Sequence, residues 1–263
     1  VWCDATTNTS PGLHTGFSLD NEGDNVFLYD ANTNRVDALS FGLQAANYSV
    51  GRISGNWTLT TPTANAANVP ATLAPASSLA LNEWLANPTP GQPDWIELFN
   101  NSSVAPVALQ GLYLATSNNL HQLRSLAFLA PRGYLQLFAD EGVGPDHLDF
   151  KLPASGDVIT LSDSTGNPIQ TVSYVAQGEG VSRGRVPDGS ALIYNFPGSA
   201  SPETTNYLAT YTGPVINEIL ARNRTSTVGT QIVDFVEIYN RSASGFNLGG
   251  MSLSVNSQQA GEW

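Results

Sequence analysis

The chain repeats itself at a fixed spacing. Residues 13–52 and 146–185 align at a constant offset of 133, and Asn82-Glu83 and residues 94–100 recur as Asn217-Glu218 and residues 234–240. Tandem copies of one folding unit produce such self-similarity, so the repeat constrains the fold more strongly than any local secondary-structure pattern does. Among the residues of the first copy that recur at the offset of 133 are His14, Phe17, Leu19, Gly23, Asp24, Leu28, Asp30, Ser40, Gln44, Ser49, Gly51 and Arg52.

The repeat also predicts the domain bounds. Residues 79–206 are expected to form one complete copy, residues 1–68 the second half of a copy, and residues 214–263 the first half of another. Residues 69–78 join the first two parts, and their two prolines and lack of charge favour a semi-extended tether. Residues 207–213 form the second, shorter linker.

Short apolar runs bounded by turn residues recur about every ten residues along the chain. This spacing is typical of β-sandwiches and barrels, and no helical periodicity lasts three turns. The fold class is therefore predicted to be all-β, with tandem sandwich units. The predicted core of the complete copy contains Leu81, Ile96, Leu98, Leu114, Leu135, Phe150, Leu152, Ile159, Leu161 and Val172.

Composition excludes several kinds of partner. The net charge is −12 and the ten basic residues are scattered, whereas a nucleic-acid surface needs clustered Lys and Arg. Cys3 is the only cysteine, so the chain cannot build a disulfide framework or a thiolate metal site of its own. No apolar run approaches the ~20 residues of a membrane span. We expect no nucleic-acid partner and no membrane span in this segment.

Six motifs in fixed order resemble the lamin tail domain family, and the first of them is Asn82-Glu83 near the start of the copy. The other five are the strand-like Asp-Trp-Ile-Glu-Leu-Phe-Asn segment at 94–100, the Leu-x-Gly-Leu-Tyr-Leu step at 109–114, the Phe-Ala-Asp segment at 138–140, His-x-x-Phe-x-Leu at 147–152, and Gly-Asp-x-Ile-x-Leu-x-Asp at 156–163. The resemblance implies an immunoglobulin-like β-sandwich and a role in binding or scaffolding, and it carries no catalytic residues. The tandem arrangement resembles large secreted bacterial proteins, which implies an extracellular or cell-surface location.

Glutamates recur in the repeated strands and could in principle serve acid–base chemistry. A catalytic pair would usually appear in one working copy, but Glu83 and Glu97 recur as Glu218 and Glu237. We therefore interpret them as structural carboxylates that accept hydrogen bonds between neighbouring strands. His14 and His147 also occupy equivalent positions and, without a second ligand at metal spacing, are expected to be structural.

Acidic residues in turns are the only candidates for a metal site, and calcium is the ion they would suit. A first group contains Asp20, Glu22 and Asp24, and the stronger group contains Asp140, Glu141, Asp146 and Asp149. None has the alternating spacing of a dedicated calcium loop, so solvated turns are the default interpretation and no cofactor is assigned.

Tryptophans could stack on sugars if they were exposed. Trp84 and Trp95 are replaced by Ile219 and Phe235 in the later copy, so both positions require bulk and are expected to lie in the core. Trp57 has no such counterpart, and a core position is favoured for it as well.

These observations favour a non-enzymatic structural or adhesive segment of a large extracellular protein. Its partners would be other copies of itself or neighbouring domains, with head-to-tail assembly through the complementary half-copies as one form. The alternative is a carbohydrate- or surface-binding module attached to a secreted enzyme, with polysaccharide as the partner.

Overall fold

The computed structural model describes residues 1–4, 12–209, 213–227, 229–249 and 251–255. Within them the chain is almost entirely β-structure, which confirms the all-β prediction, and no helix is long and apolar enough to cross a membrane. Contacts divide the chain into two compact units, Val1–Ala209 and Thr210–Trp263.

The described residues of the first unit form seventeen strands and one short 3-10 helix, Ala76–Ser78. The strands are β1 Asp24–Tyr29, β2 Arg35–Phe41, β3 Ser49–Ile53, β4 Asn56–Thr61, β5 Val69–Pro70, β6 Leu79–Leu85, β7 Asp94–Asn100, β8 Val107–Ala108, β9 Tyr113–Ala115, β10 Leu120–Gln122, β11 Phe128–Leu129, β12 Tyr134–Ala139, β13 His147–Leu148, β14 Gly156–Ser162, β15 Pro168–Val175, β16 Val181–Arg185 and β17 Ile193–Pro197. The second unit holds β18 Val215–Leu220 and β19 Phe235–Tyr239.

The predicted complete copy is an immunoglobulin-like sandwich of two main sheets. One has six strands in the order β13-β12-β7-β6-β16-β17, and the other has four in the order β10-β9-β14-β15. Neighbouring strands are antiparallel except β12 and β13, which run parallel. A short ladder of β8 and β11 completes this copy.

Alternation of apolar residues along these strands creates one buried cluster between the sheets. Nine of the ten predicted core residues belong to it, and Leu135 packs against it while remaining half-buried. Trp84 lies in this cluster with no exposed surface, and Trp95 is also buried, as predicted.

The first partial copy reproduces the late strands of the complete one. The β1–β2 hairpin has its register shift between Leu28 and Tyr29, and β14–β15 has the same shift between Leu161 and Ser162, at the offset of 133. The turns also match, because Asp30 accepts hydrogen bonds from the second and fourth following amides, and Asp163 does likewise. The predicted correspondence is confirmed for these strands.

The second unit reproduces the early strands. In β6–β7 the register shifts between Leu81 and Glu83, and in β18–β19 it shifts between Ile216 and Glu218. The shift leaves an asparagine, Asn82 or Asn217, as the extra residue of a bulge. The hairpin of the last copy is therefore the same structural element as β6–β7.

Residues 69–78 are ordered, which corrects the expectation of a tether. Val69–Pro70 pairs with β4, and the Ala74 N–H donates to the Pro106 carbonyl at 2.8 Å. The physical reason is hydrophobic packing, because Leu73 contacts a second buried cluster that the first fragment shares with the complete copy. The buried members of that cluster are Ala45, Leu59, Leu126 and Phe128.

Candidate functional site

Two glutamates face each other across the six-stranded sheet. Glu83 on β6 and Glu97 on β7 are paired in register, and both side chains are fully buried. Since Ile96 and Leu98 point into the main core, alternation places Glu97 on the opposite face of the sheet. The sheet thus carries a pair of carboxylates on the face turned away from the sandwich interior.

The segment that follows β17 covers this face and satisfies the carboxylates. Glu83 accepts a hydrogen bond from the Ser182 hydroxyl at 2.5 Å and from the Ser201 N–H at 3.3 Å. Glu97 accepts from Asn82 Nδ2 at 2.8 Å and from the Glu203 N–H at 2.5 Å. The carboxylates therefore connect strands and loops, which confirms their structural interpretation.

A third carboxylate, Asp188, completes the network. It accepts hydrogen bonds from Asn82 Nδ2 at 3.0 Å, from the Asn206 N–H at 3.1 Å and from the Tyr134 hydroxyl at 2.9 Å. Sequence reasoning missed Asp188 and Asn206, because a Pro-Asp-Gly segment indicates only a turn and Asn206 is the last residue of the predicted complete copy, outside any recognised strand or motif.

Burial changes the protonation of the glutamate pair. It raises the pKa of Glu83 to about 7 and that of Glu97 to about 8, because the ionised form loses solvation, while the hydrogen bonds from Ser182 and Asn82 act in the opposite direction. Perturbed carboxylates can mark catalytic sites, but structural networks perturb them as well. Since neither side chain has exposed surface, a substrate cannot reach them in this conformation.

A second set of side chains fastens β6 to the rest of the sandwich. Arg185 Nε donates to the Leu81 carbonyl at 2.7 Å, and burial lowers the pKa of this guanidinium. Gln170 and Gln177 accept the N–H groups of Leu81 and Ala86, each at 2.6 Å. With Ser182 and Asn206, which reach Glu83 and the Asn82 carbonyl, these are the β6-binding residues: Gln170, Gln177, Ser182, Arg185 and Asn206.

The calcium candidates do not converge on one point. Asp140 and Asp146 lie against opposite ring nitrogens of His147, at 2.8 and 3.8 Å. Glu141 pairs with Lys151 at 3.4 Å, and Asp149 pairs with His121 at 3.0 Å. In the part of the chain that the structure describes, no three His, Cys, Asp or Glu side chains are grouped to hold a metal ion.

The repeated histidines perform the same local task in both copies. His147 Nδ1 lies 2.8 Å from Asp140, and His14 Nδ1 lies 2.8 Å from Asp4. Each histidine also makes a parallel pairing with an earlier residue: His147 pairs with Phe138 of β12, and His14 forms an isolated bridge with Trp2. These contacts tie the start of the late half to the segment before it, as a structural role requires.

Trp57 is half-buried rather than fully in the core. Its ring packs against the second cluster, and the Arg52 guanidinium lies 4.6 Å from the ring centroid. One face of the indole is therefore covered by a cation. Beside it lies a cavity of about 550 Å³, lined by apolar residues of the first fragment that include Leu28, Leu39 and Phe41.

These features define an immunoglobulin-like β-sandwich whose repeated polar residues hold its strands together. The lamin tail domain family model matches residues 72–176, which begin in the predicted linker and extend through most of the copy predicted to be complete. No curated protein and no solved structure matches the chain significantly. The family match supports the resemblance for this segment of the chain.

Proposed function

We propose that the chain is a non-enzymatic structural or adhesive segment of a large extracellular or cell-surface protein. Its copies serve as spacers and as units of assembly, and bacterial secreted proteins with tandem lamin-tail-like domains are the class it fits. Its partners are other copies of itself or neighbouring domains.

The observation that carries this proposal is that the repeated carboxylates are buried and hydrogen-bonded in the complete copy. Glu83 and Glu97 are the chain's repeated candidates for acid–base chemistry, and in the complete copy both are buried and bonded to Ser182, Ser201, Asn82 and the Glu203 amide. Chemistry-bearing residues that are used to hold strands together favour a scaffold over an enzyme.

The cavity beside Trp57 is the observation that favours the alternative, a carbohydrate-binding module. Sugar-binding platforms use open aromatic faces, and Tyr48 and Phe41 also line this cavity. Against it stands the Arg52 guanidinium, which covers one face of the Trp57 ring.

A screen of the full chain against soluble and insoluble polysaccharides separates the two functions. The scaffold predicts no binding at millimolar sugar and no release of soluble fragments from any polysaccharide. Binding with a millimolar or tighter Kd that Trp57→Ala abolishes would overturn the scaffold in favour of the module. Leu192→Ala, at an exposed residue outside the cavity, is the control.

A further inference from the structure

The segment after β17 crosses the outer face of the six-stranded sheet, and we refer to residues 199–206 as the strap. Its backbone-to-backbone hydrogen bonds are local, because the Ser199 N–H donates to the Phe196 carbonyl at 3.5 Å and the Thr204 N–H to the Ser201 carbonyl at 3.2 Å. Among the described residues, no backbone-to-backbone bond joins the strap to β6, β7 or β12, the strands that it contacts. Main-chain pairing with these strands therefore does not hold the strap in place.

The strap is attached through carboxylates instead. Three of its backbone N–H groups donate to side-chain oxygens of acidic residues on the sheet or in the turn after β16. The three bonds run from Ser201 to Glu83 at 3.3 Å, from Glu203 to Glu97 at 2.5 Å and from Asn206 to Asp188 at 3.1 Å. The attachment thus depends on groups that bind and release protons.

Neutral contacts with the sandwich hold the last part of the strap. The Thr205 hydroxyl lies 3.1 Å from the Tyr134 hydroxyl, and Asn206 Nδ2 donates to the Asn82 and Arg185 carbonyls at 3.3 and 3.1 Å. In the part of the chain that the structure describes, the hydrogen bonds of residues 201–203 to the sheet all end on the glutamate pair. The middle of the strap is therefore the part that responds to the protonation of that pair.

No cation neutralises the carboxylates that hold the strap. The ionisable side chains around it are Glu83 on β6, Glu97 on β7, Tyr134 on β12, Arg185 on β16, Asp188 in the turn after β16, and Glu203 on the strap itself. Arg185 donates to two backbone carbonyls, and among the described residues none of the three carboxylates takes part in an ion pair. Asn82 Nδ2 is shared by Glu97 at 2.8 Å and Asp188 at 3.0 Å. Carboxylates at this spacing disfavour one another's ionised forms.

Burial adds to this effect. The side chains of Glu83 and Glu97 have no exposed surface, and the loss of solvation raises the pKa of the first to about 7 and that of the second to about 8. Residues 202–205 of the strap are exposed, so the strap is a single layer of chain between the glutamate pair and solvent. An ionised carboxylate is stabilised by hydration, and water reaches this pair once the strap lifts.

The closed strap also leaves one polar group unsatisfied. The Ser199 hydroxyl is buried and has no hydrogen-bond partner among the described residues. A buried hydroxyl without a partner is unfavourable, and opening of the strap hydrates it. The first residue of the strap therefore adds nothing through this group that would resist opening.

We propose that the strap is a pH-dependent cover of the outer sheet face, closed while the glutamate pair is protonated and open when the pair is ionised. Pro202 lines a cavity of about 300 Å³ together with Trp95, Gln136 and Phe138. Opening widens this cavity and exposes its two aromatic side chains to solvent. This device is independent of the proposed scaffold role, since it requires only the complete copy.

The direction of the pH dependence follows from the glutamate pair. A carboxyl group whose pKa is raised in the closed form and ordinary in the open form favours closure most at acidic pH. For Glu97 this advantage declines above the ordinary pKa of 4.5 and is lost as pH rises through about 8, and for Glu83 it is lost through about 7. The strap is expected to be closed in weakly acidic solution and increasingly open in weakly alkaline solution.

Hydrogen–deuterium exchange of the full chain, with exchange times scaled for the intrinsic rate at each pH, tests the device. Protection of the amides in residues 199–206 is expected to fall at least about tenfold between about pH 6 and about pH 9. Amides of the β14–β15 hairpin are expected to keep their protection over the same range, which separates local opening from global unfolding.

Variants of the glutamates identify the cause. In the double variant Glu83→Gln/Glu97→Gln both groups stay neutral, so protection of the strap should be constant over this range, whatever its level. Glu97→Gln alone should reduce the fall in protection without abolishing it, and it serves if the double variant does not fold. Glu203→Gln is the matched control, because it removes an exposed charge from the strap and keeps the N–H that Glu97 accepts. It should respond to pH like the wild type.

Four outcomes would overturn the proposal. They are equal protection of the wild-type strap at both ends of the pH range, a full pH response in Glu97→Gln or in the double variant, loss of the response in Glu203→Gln, and parallel loss of protection in the β14–β15 hairpin.

Discussion

The complete copy and the first partial copy contain the same late-strand hairpin in two different environments. Leu161 and Leu28 occupy equivalent positions on strands with the same register shift, yet one is fully buried and the other 60% exposed. Burying a leucine side chain stabilises a fold by about 1.5–3 kcal/mol. The hairpin geometry thus forms without its sandwich partner, whereas most of the hydrophobic stabilisation requires it.

The largest expected difference in stability between the copies is at the equivalent leucines Leu161 and Leu28. Leu161→Ala removes a fully buried side chain and is expected to lower the free energy of unfolding by about 2–5 kcal/mol. Leu28→Ala is expected to cost less than about 1 kcal/mol, because its side chain is largely in solvent. Urea denaturation of dilute full-length chain measures both, and equal losses would contradict the comparison.

Two equivalent glycines sharpen the comparison at the strand edge. A Cβ on Gly184 would meet the Asn82 carbonyl at 2.5 Å, so Gly184→Ala must displace backbone and is expected to cost roughly 1–3 kcal/mol. The three atoms nearest to a Cβ on Gly51 are side-chain atoms of Asn68 and Thr60, at 2.9 Å, rather than backbone, and the exposed Asn68 side chain can move aside. Gly51→Ala is therefore expected to lower the free energy of unfolding by less than Gly184→Ala does. A larger loss for Gly51→Ala in urea denaturation would contradict this comparison.

The glutamates give the copies different pH dependence. Burial raises the pKa of Glu97 from 4.5 to about 8, so the folded state binds the extra proton and the free energy of unfolding falls as pH rises between those values. Glu97→Gln should remove roughly 1–2 kcal/mol of this decline between pH 5 and 8.5, after allowance for relaxation around the ionised group. Glu237→Gln makes the same charge change at the exposed equivalent and serves as the control. Identical pH profiles for the two variants would refute the difference.

The smallest effect is expected at the Asp140–His147 pair. The hydrogen bond to His147 lowers the pKa of Asp140, and the same bond raises the pKa of His147. The pair therefore stabilises the fold most at weakly acidic pH. The contribution of Asp140 is lost as pH falls through the lowered pKa of its carboxylate, and the contribution of His147 is lost as pH rises through the raised pKa of its ring. Asp140→Asn should cost less than about 1 kcal/mol, since the pair is partly exposed.

An NMR titration of the His147 ring checks that prediction directly. The Asp140→Asn variant should lower the His147 pKa toward the ordinary histidine value of 6.5. Asp149→Asn, which faces His121 instead, is the matched control. An unchanged His147 pKa in Asp140→Asn would show that the bond has no electrostatic role.

Much of the candidate site could be predicted from the repeat, and part of it could not. Recurrence of Glu83 and Glu97 as Glu218 and Glu237 indicated structural carboxylates, and hydrogen bonds from Asn82 and the Glu203 amide confirm that role. The partners Ser201 and Asp188 could not be found, because they are more than a hundred residues from β6 along the chain and no local pattern relates them to it.

The sequence by itself determined the repeat unit, the strand alternation, the shared bulges and the matching aspartate turns. These features arise from contacts between residues close in sequence, so each copy forms them again wherever its segment occurs. Only the tertiary structure decided in which copy the apolar face of these strands is buried, and that residues 69–78 join a shared cluster rather than form a tether. Burial depends on the element packed opposite, and Leu161 has that element in β6–β7 while the first fragment keeps Leu28 at its surface.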